Sequence, residues 1–561
     1  MAPSLVLGPI LRFVDESRAT IWVETDQPCD VTVETAVGVH ATAETWGVGG
    51  HHFALVAVRD LPADTLIDYS VRLGVRGDEP VDVWPPADVP CHLRTSGADR
   101  RPSIAFGSCR RGENHDSESL ARVGADALTG LAARVRTEAV ERHPDLLLFL
   151  GDQVYADDPS REVLAHLRRH RAAHSPDPDL TTEVRDEICD FEEYTWLYHE
   201  SWGSPAVRGL MACVPSCMIL DDHDLRDDWN SSWSWRQETS AKPWWRRRVI
   251  GAFTSYWIYQ HLGNLDPDML DREHLYSTVR FAVDDDERER ILADFAVRAD
   301  AEPSTARWSF VRDLGPLRLV MIDSRCSREL TPDRRGILDD AEWKWVVQAA
   351  TERPARHLVF GTSLPYLMLP ALHHLEQWDE AVAQGAWGRL GARVGEKARL
   401  ALDLEHWGAF DASFRDMARL VADLSDGPQA PASVTWVSGD VHCSYIAEAQ
   451  LTDGARHGRT GLFQLTMSPF RNPLERPVRV VNRLAVRKPL VRLMRRLARS
   501  AGVADLPVEW DTTAGPWFDN GVMTLAVDGD DVTVRVEHAF TAPDGTQRLS
   551  STHQQRLTPQ S

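Results

Sequence analysis

The chain has 561 residues, 43% hydrophobic and 26% charged, a globular composition too long for one hydrophobic core, so two or three domains are predicted and dominant disorder is excluded. Its 62 Lys and Arg face 84 Asp and Glu, and the formal charge of −22 argues against nucleic acid as the main partner while suiting multivalent cations. No long apolar run and no basic-then-apolar leader occurs, which predicts a soluble, cytoplasmic protein, and the scattered cysteines fit buried thiols rather than a disulfide framework.

Residues 1–96 read as an all-β unit. Strand patterns run over Leu5 to Leu7, Ala19 to Glu24, Asp30 to Glu34, His52 to Val58 and Ile67 to Leu73, separated by turn residues. The loop Leu61–Thr65 and the strand carrying Tyr69 resemble the tyrosine corner of fibronectin type III domains, so a fibronectin type III-like sandwich is expected. Pro85-Pro86-Ala87-Asp88-Val89-Pro90 then reads as a linker.

From Ile104 onward short apolar runs alternate with helical stretches, which predicts an α/β core in a second domain over 97–545. The strand-like runs are Ser103 to Phe106, Asp145 to Leu150, Cys217 to Leu220, Leu317 to Ile322, His357 to Phe360 and Val434 to Val437; Leu120 to Glu141 and Asp284 to Ala301 read as helical. A Trp-rich helical insertion over 371–424 precedes the last of these core strands. A basic flap over 471–499 carries ten Lys and Arg against one acidic residue, Glu475, with its apolar pattern interrupted at Pro489. Its bland reading is a solvated flap, and its functional reading is contact with an anionic substrate or membrane surface. Gly521 to Val527 and Val532 to Val536 read as a hairpin, and 546–561 as a polar tail.

Four clusters follow apolar runs: Ser108-Cys109-Arg110, Gly151-Asp152-Gln153-Val154-Tyr155, Asp221-Asp222-His223-Asp224 and Gly439-Asp440-Val441-His442. An Asp at a strand end is often only a helix cap, but four such ends in chain order point to one cleft. Carboxylate, imidazole, phenolate and thiolate are metal ligands. Asp152 is placed to bridge two ions, and a Cys109–Tyr155 pair favours ferric iron over magnesium.

As a set these motifs, with Asp323-Ser324-Arg325 and Leu404-Glu405-His406-Trp407, resemble the PhoD-like (alkaline phosphatase D) branch of the calcineurin-like metallophosphatases, over about residues 4–545. The resemblance implies an α/β (α+β) metallophosphatase β-sandwich core flanked by helices, behind the N-terminal all-β domain. It also implies a binuclear centre. Cys109, Asp152, Tyr155 and His442 would surround Fe3+, and Asp222 and Asp440 would hold a second ion, Ca2+ with Mg2+ or Mn2+ as alternatives. The chain departs from the family pattern where an asparagine is usual in the third block, since Asp222, Asp227 and Asp228 stand there. The implied reaction is hydrolysis of phosphate monoesters or diesters by attack of a metal-bound hydroxide. His223 would act as acid or phosphate-orienting group with Asp224 holding its tautomer, and Arg110 and Arg325 would grip the phosphoester. A phosphodiesterase acting on nucleotides or phospholipids is the nearest alternative. A catalytically silent binding protein is the alternative from another class, and it requires broken ligand sets.

Overall fold

β-Branched residues are frequent in the N-terminal strands, and the computed structural model arranges these as two sheets, with Leu5–Val14 and Ala19–Thr25 buried on nearly every residue and Asp30–Thr35 and Leu66–Gly74 burying alternate residues. One sheet orders Leu5–Val14, Ala19–Thr25, His51–Val58 and Trp46–Val48; the other orders His40–Glu44, Asp30–Thr35, Leu66–Gly74 and Val81–Trp84, with His92–Arg94 also paired to Leu66–Gly74. Ile21, Val23, Val31, Val33, Val56 and Val71 fill the space between them with no solvent exposure. The described residues are 2–75, 79–87, 89–97, 100–174, 178–331, 333–452 and 460–557, so Asp88 of the linker and 558–561 of the expected tail lie outside them.

The tyrosine-corner expectation fails. The Tyr69 hydroxyl donates to the carbonyl of Ala212 at 2.7 Å, across the domain boundary rather than back to its own loop. The sandwich is thus pinned to the second domain, and the buried Arg12 side chain deepens the contact. Its guanidinium donates to the carbonyls of Tyr259 at 2.7 Å and Gln260 at 2.6 Å.

The second domain packs two mixed sheets face to face. The first orders Ser216–Ile219, Leu146–Leu150, Ser103–Gly107, Gly521–Asp528, Asp531–Thr541 and Gln547–Leu557; the second orders Phe310–Leu314, Leu317–Ile322, His357–Thr362, Ser433–Ser438, Gly461–Thr466, Ser444–Leu451 and Val508–Trp517. Leu147, Phe149 and Met523 from one sheet share a core with Leu319, Val359 and Leu465 from the other. Helices cover the outer faces, as when Asp340–Thr351 and Asp411–Asp426 pack on Val320, Phe360 and Trp436. Ser216–Ile219, Leu146–Leu150 and Ser103–Gly107 run parallel at one side of the first sheet, and Leu317–Ile322, His357–Thr362, Ser433–Ser438 and Gly461–Thr466 run parallel in the middle of the second, so the carboxyl ends of each set leave from one edge of its sheet.

Three sequence expectations need correction. The stretch 120–141 is two α-helices, Ser117–Val123 and Ala127–Thr137, because Gly124 takes φ 74° and Asp126 caps a new start. Pro489 does not interrupt one helix but stands in the first turn of the second of two, Arg476–Ala485 and Lys488–Ser500. Most of the polar tail is the strand Gln547–Leu557, paired along Asp531–Thr541 at the sheet edge.

Candidate metal centre

The parallel strands of both sheets end at one cleft, as ligand sites outside carboxyl ends of strands require. Ser103–Gly107 delivers Cys109, Leu146–Leu150 delivers Asp152 and Tyr155, Ser216–Ile219 delivers Asp221 to Asp224, and Ser433–Ser438 delivers Asp440 and His442. The chain must turn sharply at each exit, and Cys109, Asp152, Asp440 and His442 take φ of 55°, 49°, 64° and 46°. A left-handed conformation in four non-glycine residues costs free energy, and such strain collects at sites that must aim side chains.

Two glycines let the loops close up. A Cβ on Gly151 (φ 107°) would fall 2.6 Å from that of Asp221, and one on Gly439 would collide with the Ser108 side chain. The Ser108 hydroxyl accepts instead from the Asp440 backbone N–H at 3.0 Å, tying the loop of one sheet to the loop of the other.

Two groups of candidate ligands result. In the first, ligand atoms of Cys109, Asp152 and His442 lie within 4.8 Å of one another. Cys109 Sγ is 3.2 Å from Asp152 Oδ2, and the Tyr155 hydroxyl is 3.5 Å from that same oxygen. Asn472, at the start of the flap, donates to the Tyr155 oxygen at 2.9 Å. In the second, Asp152, Asp221, Asp222 and Asp440 meet the same distance limit. Asp152 belongs to both. Asp221 is a member that the sequence did not single out, although it stands beside the expected Asp222.

The electrostatics are those of a site that wants cations. Burial, followed by Asp222, Asp224 and Asp440, pushes Asp152 well above the ordinary carboxyl range against the pull of His223. Burial raises Asp222 to about 7 in spite of Arg325 and His223, and it lowers His442 to about 4. For Cys109, burial and then Asp152 and Asp440 raise the thiol far above its usual value. Asp152 Oδ1, Asp221 Oδ2 and Asp222 Oδ1 are buried without a hydrogen bond. Buried polar atoms are rarely left so, and bound cations would satisfy them while reversing the sense of these shifts. The donor set fits the metals implied by the sequence: thiol, phenol and imidazole on one side, carboxylates alone on the other.

Surrounding residues differ from expectation in instructive ways. His223 Nδ1 lies 2.9 Å from both oxygens of Asp157, so Asp157 and not Asp224 orients the ring. Asp224 is an internal brace instead, accepting from the Asp221 backbone N–H at 2.9 Å and from Gln260 at 3.3 Å. Arg110 does not reach the cleft. It is buried on Asp126 at 2.7 Å and on the Ser201 carbonyl. Its neighbour Arg111 stacks over the Tyr155 ring, 4.6 Å from the centroid. Arg325 is fully buried and enclosed by acids: it pairs with Asp221, reaches Glu405 at 2.6 Å and Asp222 at 3.2 Å, and lies 3.6 Å from Asp440. It therefore offsets the carboxylate charge rather than facing a ligand. Asn230 donates to the Arg325 carbonyl at 3.1 Å. His406, in the Leu404-Glu405-His406-Trp407 motif, bridges Glu376 at 2.6 Å and Asp440 at 3.2 Å.

The PhoD-like phosphatase family model matches residues 132–469, and a domain of unknown function, DUF7800, matches 2–96. Among solved structures, that of PhoD aligns at 12% identity with a TM-score of 0.58, covering 99% of this chain and 90% of that one. A purple acid phosphatase from yellow lupin (Lupinus luteus) seeds aligns at 9% identity with a TM-score of 0.49, covering 99% of this chain and 74% of that one. No curated protein matches. The family model spans more than half of the 561 residues and takes in three of the four strand-end clusters, from Asp152 to His442, so the chain belongs to the PhoD-like phosphatase family.

Proposed function

We propose that the chain hydrolyses phosphate monoesters or diesters at a two-metal centre. Cys109, Asp152, Tyr155 and His442 hold one cation and Asp152, Asp221, Asp222 and Asp440 the other. Thiolate and phenolate favour Fe3+ at the first position; an all-carboxylate set suits Ca2+, with Mg2+ or Mn2+ able to replace it. The observation that carries the reading is the membership of Asp152 in both ligand groups. When bound, the two cations neutralise charge on the phosphoryl oxygens and lower the pKa of water.

The chain's own residues supply the rest. Burial pushes the His223 ring down, but Asp157, which is not among the candidate ligands, lies against Nδ1 and raises the ring's pKa, favouring its protonated form. With Nδ1 engaged by Asp157, Nε2 is the nitrogen left to donate a proton to the leaving oxygen, and Asp157 stabilises the imidazolium. Arg111, held over Tyr155, is the guanidinium assigned to the phosphoryl group. Complete ligand sets speak against a silent scaffold.

Hydrolysis of p-nitrophenyl phosphate and bis-p-nitrophenyl phosphate tests this directly. Activity on at least one ester, abolished by chelation and restored by iron together with calcium, magnesium or manganese, is expected. Hydrolysis of neither ester with any of these metals contradicts the proposal.

A further inference from the structure

The basic segment forms two consecutive amphipathic helices, Arg476–Ala485 and Lys488–Ser500. At about 100° per residue, Val480, Val481 and Leu484 share one side of the first helix, away from Arg476, Arg479 and Arg483. The same spacing gathers Leu490, Leu493 and Leu497 on the second helix, away from Arg492, Arg495 and Arg499.

The fold uses only part of these stripes. Leu490, with Val491 and Met494 beside the stripe, packs by Tyr445 and Phe518, but Val480, Val481 and Leu484 are 53%, 50% and 50% exposed and Leu493 is 56% exposed. Surface helices of soluble proteins ordinarily turn such residues inward, and exposed apolar residues rimmed by charge mark an interaction site. The charge is equally unspent. Arg495 and Arg499 pair with Asp505, whereas Arg476, Arg487, Lys488, Arg492 and Arg496 make no ion pair among the described residues. Trp387, 47% exposed, extends the surface, its indole N–H donating to the Ser500 carbonyl at 3.4 Å.

We propose that these two helices and Trp387 form a docking surface for an anionic phospholipid bilayer. Val480, Val481, Leu484 and Leu493 enter the headgroup–acyl boundary, Trp387 sits at headgroup depth, and the unpaired cations meet lipid phosphates. A soluble polyanion would satisfy the arginines and leave the apolar side chains in water. The bilayer is the single surface that answers both.

Vesicle flotation of the full chain decides, using phosphatidylcholine vesicles with and without phosphatidylglycerol. The full chain is expected to float with the anionic vesicles, less so as salt is raised. Val480→Asp/Leu484→Asp and, separately, Arg492→Gln/Arg496→Gln each lower partitioning about 10-fold or more. All four side chains are solvent-exposed, and circular dichroism with thermal unfolding checks that each variant is folded; if one misfolds, the other still decides. No preference for anionic vesicles overturns the proposal. So does binding that the arginine variant loses and the aspartate variant keeps, which is the behaviour of a site for soluble polyanions. A wild-type dimer in sedimentation velocity that the aspartate variant dissociates, without vesicle binding, makes the face a self-interface and also overturns it.

Discussion

Asp152 is one side chain in two ligand groups, held by a strained backbone at a strand end. Around it, single-residue shifts separate structural from chemical roles: Arg110 is buried on Asp126 while Arg111 reaches Tyr155, and Asp224 braces a loop while Asp157 holds His223. These roles predict different outcomes. Asp157→Asn should lower kcat/KM for a p-nitrophenyl ester about 10- to 100-fold and alter the arm of the pH profile set by His223. Asp224→Asn should instead lower stability by about 1–3 kcal/mol in denaturant unfolding, since it disturbs a buried acceptor. Equal effects of the two substitutions on the pH profile would refute the assignment. The sequence made the ligands legible because thiol, carboxylate, phenol and imidazole follow apolar strands. It did not reveal the orienting groups, because nothing in a loop's residue order says whether Asp157 or Asp224 faces the ring.

At the scale of elements, the helix Ala127–Thr137 shows how a cap becomes a tertiary anchor. The Asp126 carboxylate accepts from the backbone N–H groups of Leu128 and Thr129 and also pairs with the buried Arg110 guanidinium. Asp126→Ala removes the cap and strands a buried cation. It should cost about 3–5 kcal/mol by urea unfolding, and a loss below about 1 kcal/mol would mean that Arg110 finds other compensation. The Pro370–Ala383 helix does comparable work by presenting Glu376 to His406, which in turn meets Asp440. Elements with apolar runs were readable: the strands ending at Leu150, Ile322 and Ser438 lie close to where the sequence puts them. The strand Gln547–Leu557 was not, because Gln-Arg-Leu-Ser-Ser-Thr-His-Gln-Gln-Arg-Leu is polar on both faces, as a sheet edge allows. The paired basic helices were hidden by Pro489, a helix breaker in an interior and a helix starter in a first turn.

Across the whole molecule, the N-terminal sandwich is joined to the second domain by buried polar contacts as well as by apolar packing. Glu24 accepts from Tyr259 at 2.9 Å and meets His51 and His199, while His51 also meets Glu192. Burial pushes the His51 ring down, but hydrogen bonds to Glu192 and Glu24 outweigh it and raise its pKa from 6.5 to about 9. A cationic partner with a raised folded-state pKa stabilises fully below about pH 6.5, and that contribution fades as pH climbs toward 9. The melting temperature should therefore fall between these pH values more steeply for the wild type than for His51→Gln. Parallel pH curves for the two would exclude His51 as the titrating link. The sequence indicated a β-rich domain ahead of an α/β one, but Tyr69 reads as a tyrosine-corner residue and Glu24 as an ordinary strand residue because their partners, Ala212 and His199, lie far along the chain.

Whether two metal ions share Asp152 is read from metal content per polypeptide in the wild type, Cys109→Ala and Asp152→Asn. Two equivalents are expected in the wild type, selective loss of iron in Cys109→Ala, and loss of both metals in Asp152→Asn. Retention of a full equivalent of either metal by folded Asp152→Asn, or a wild type that binds no metal, would contradict a shared Asp152.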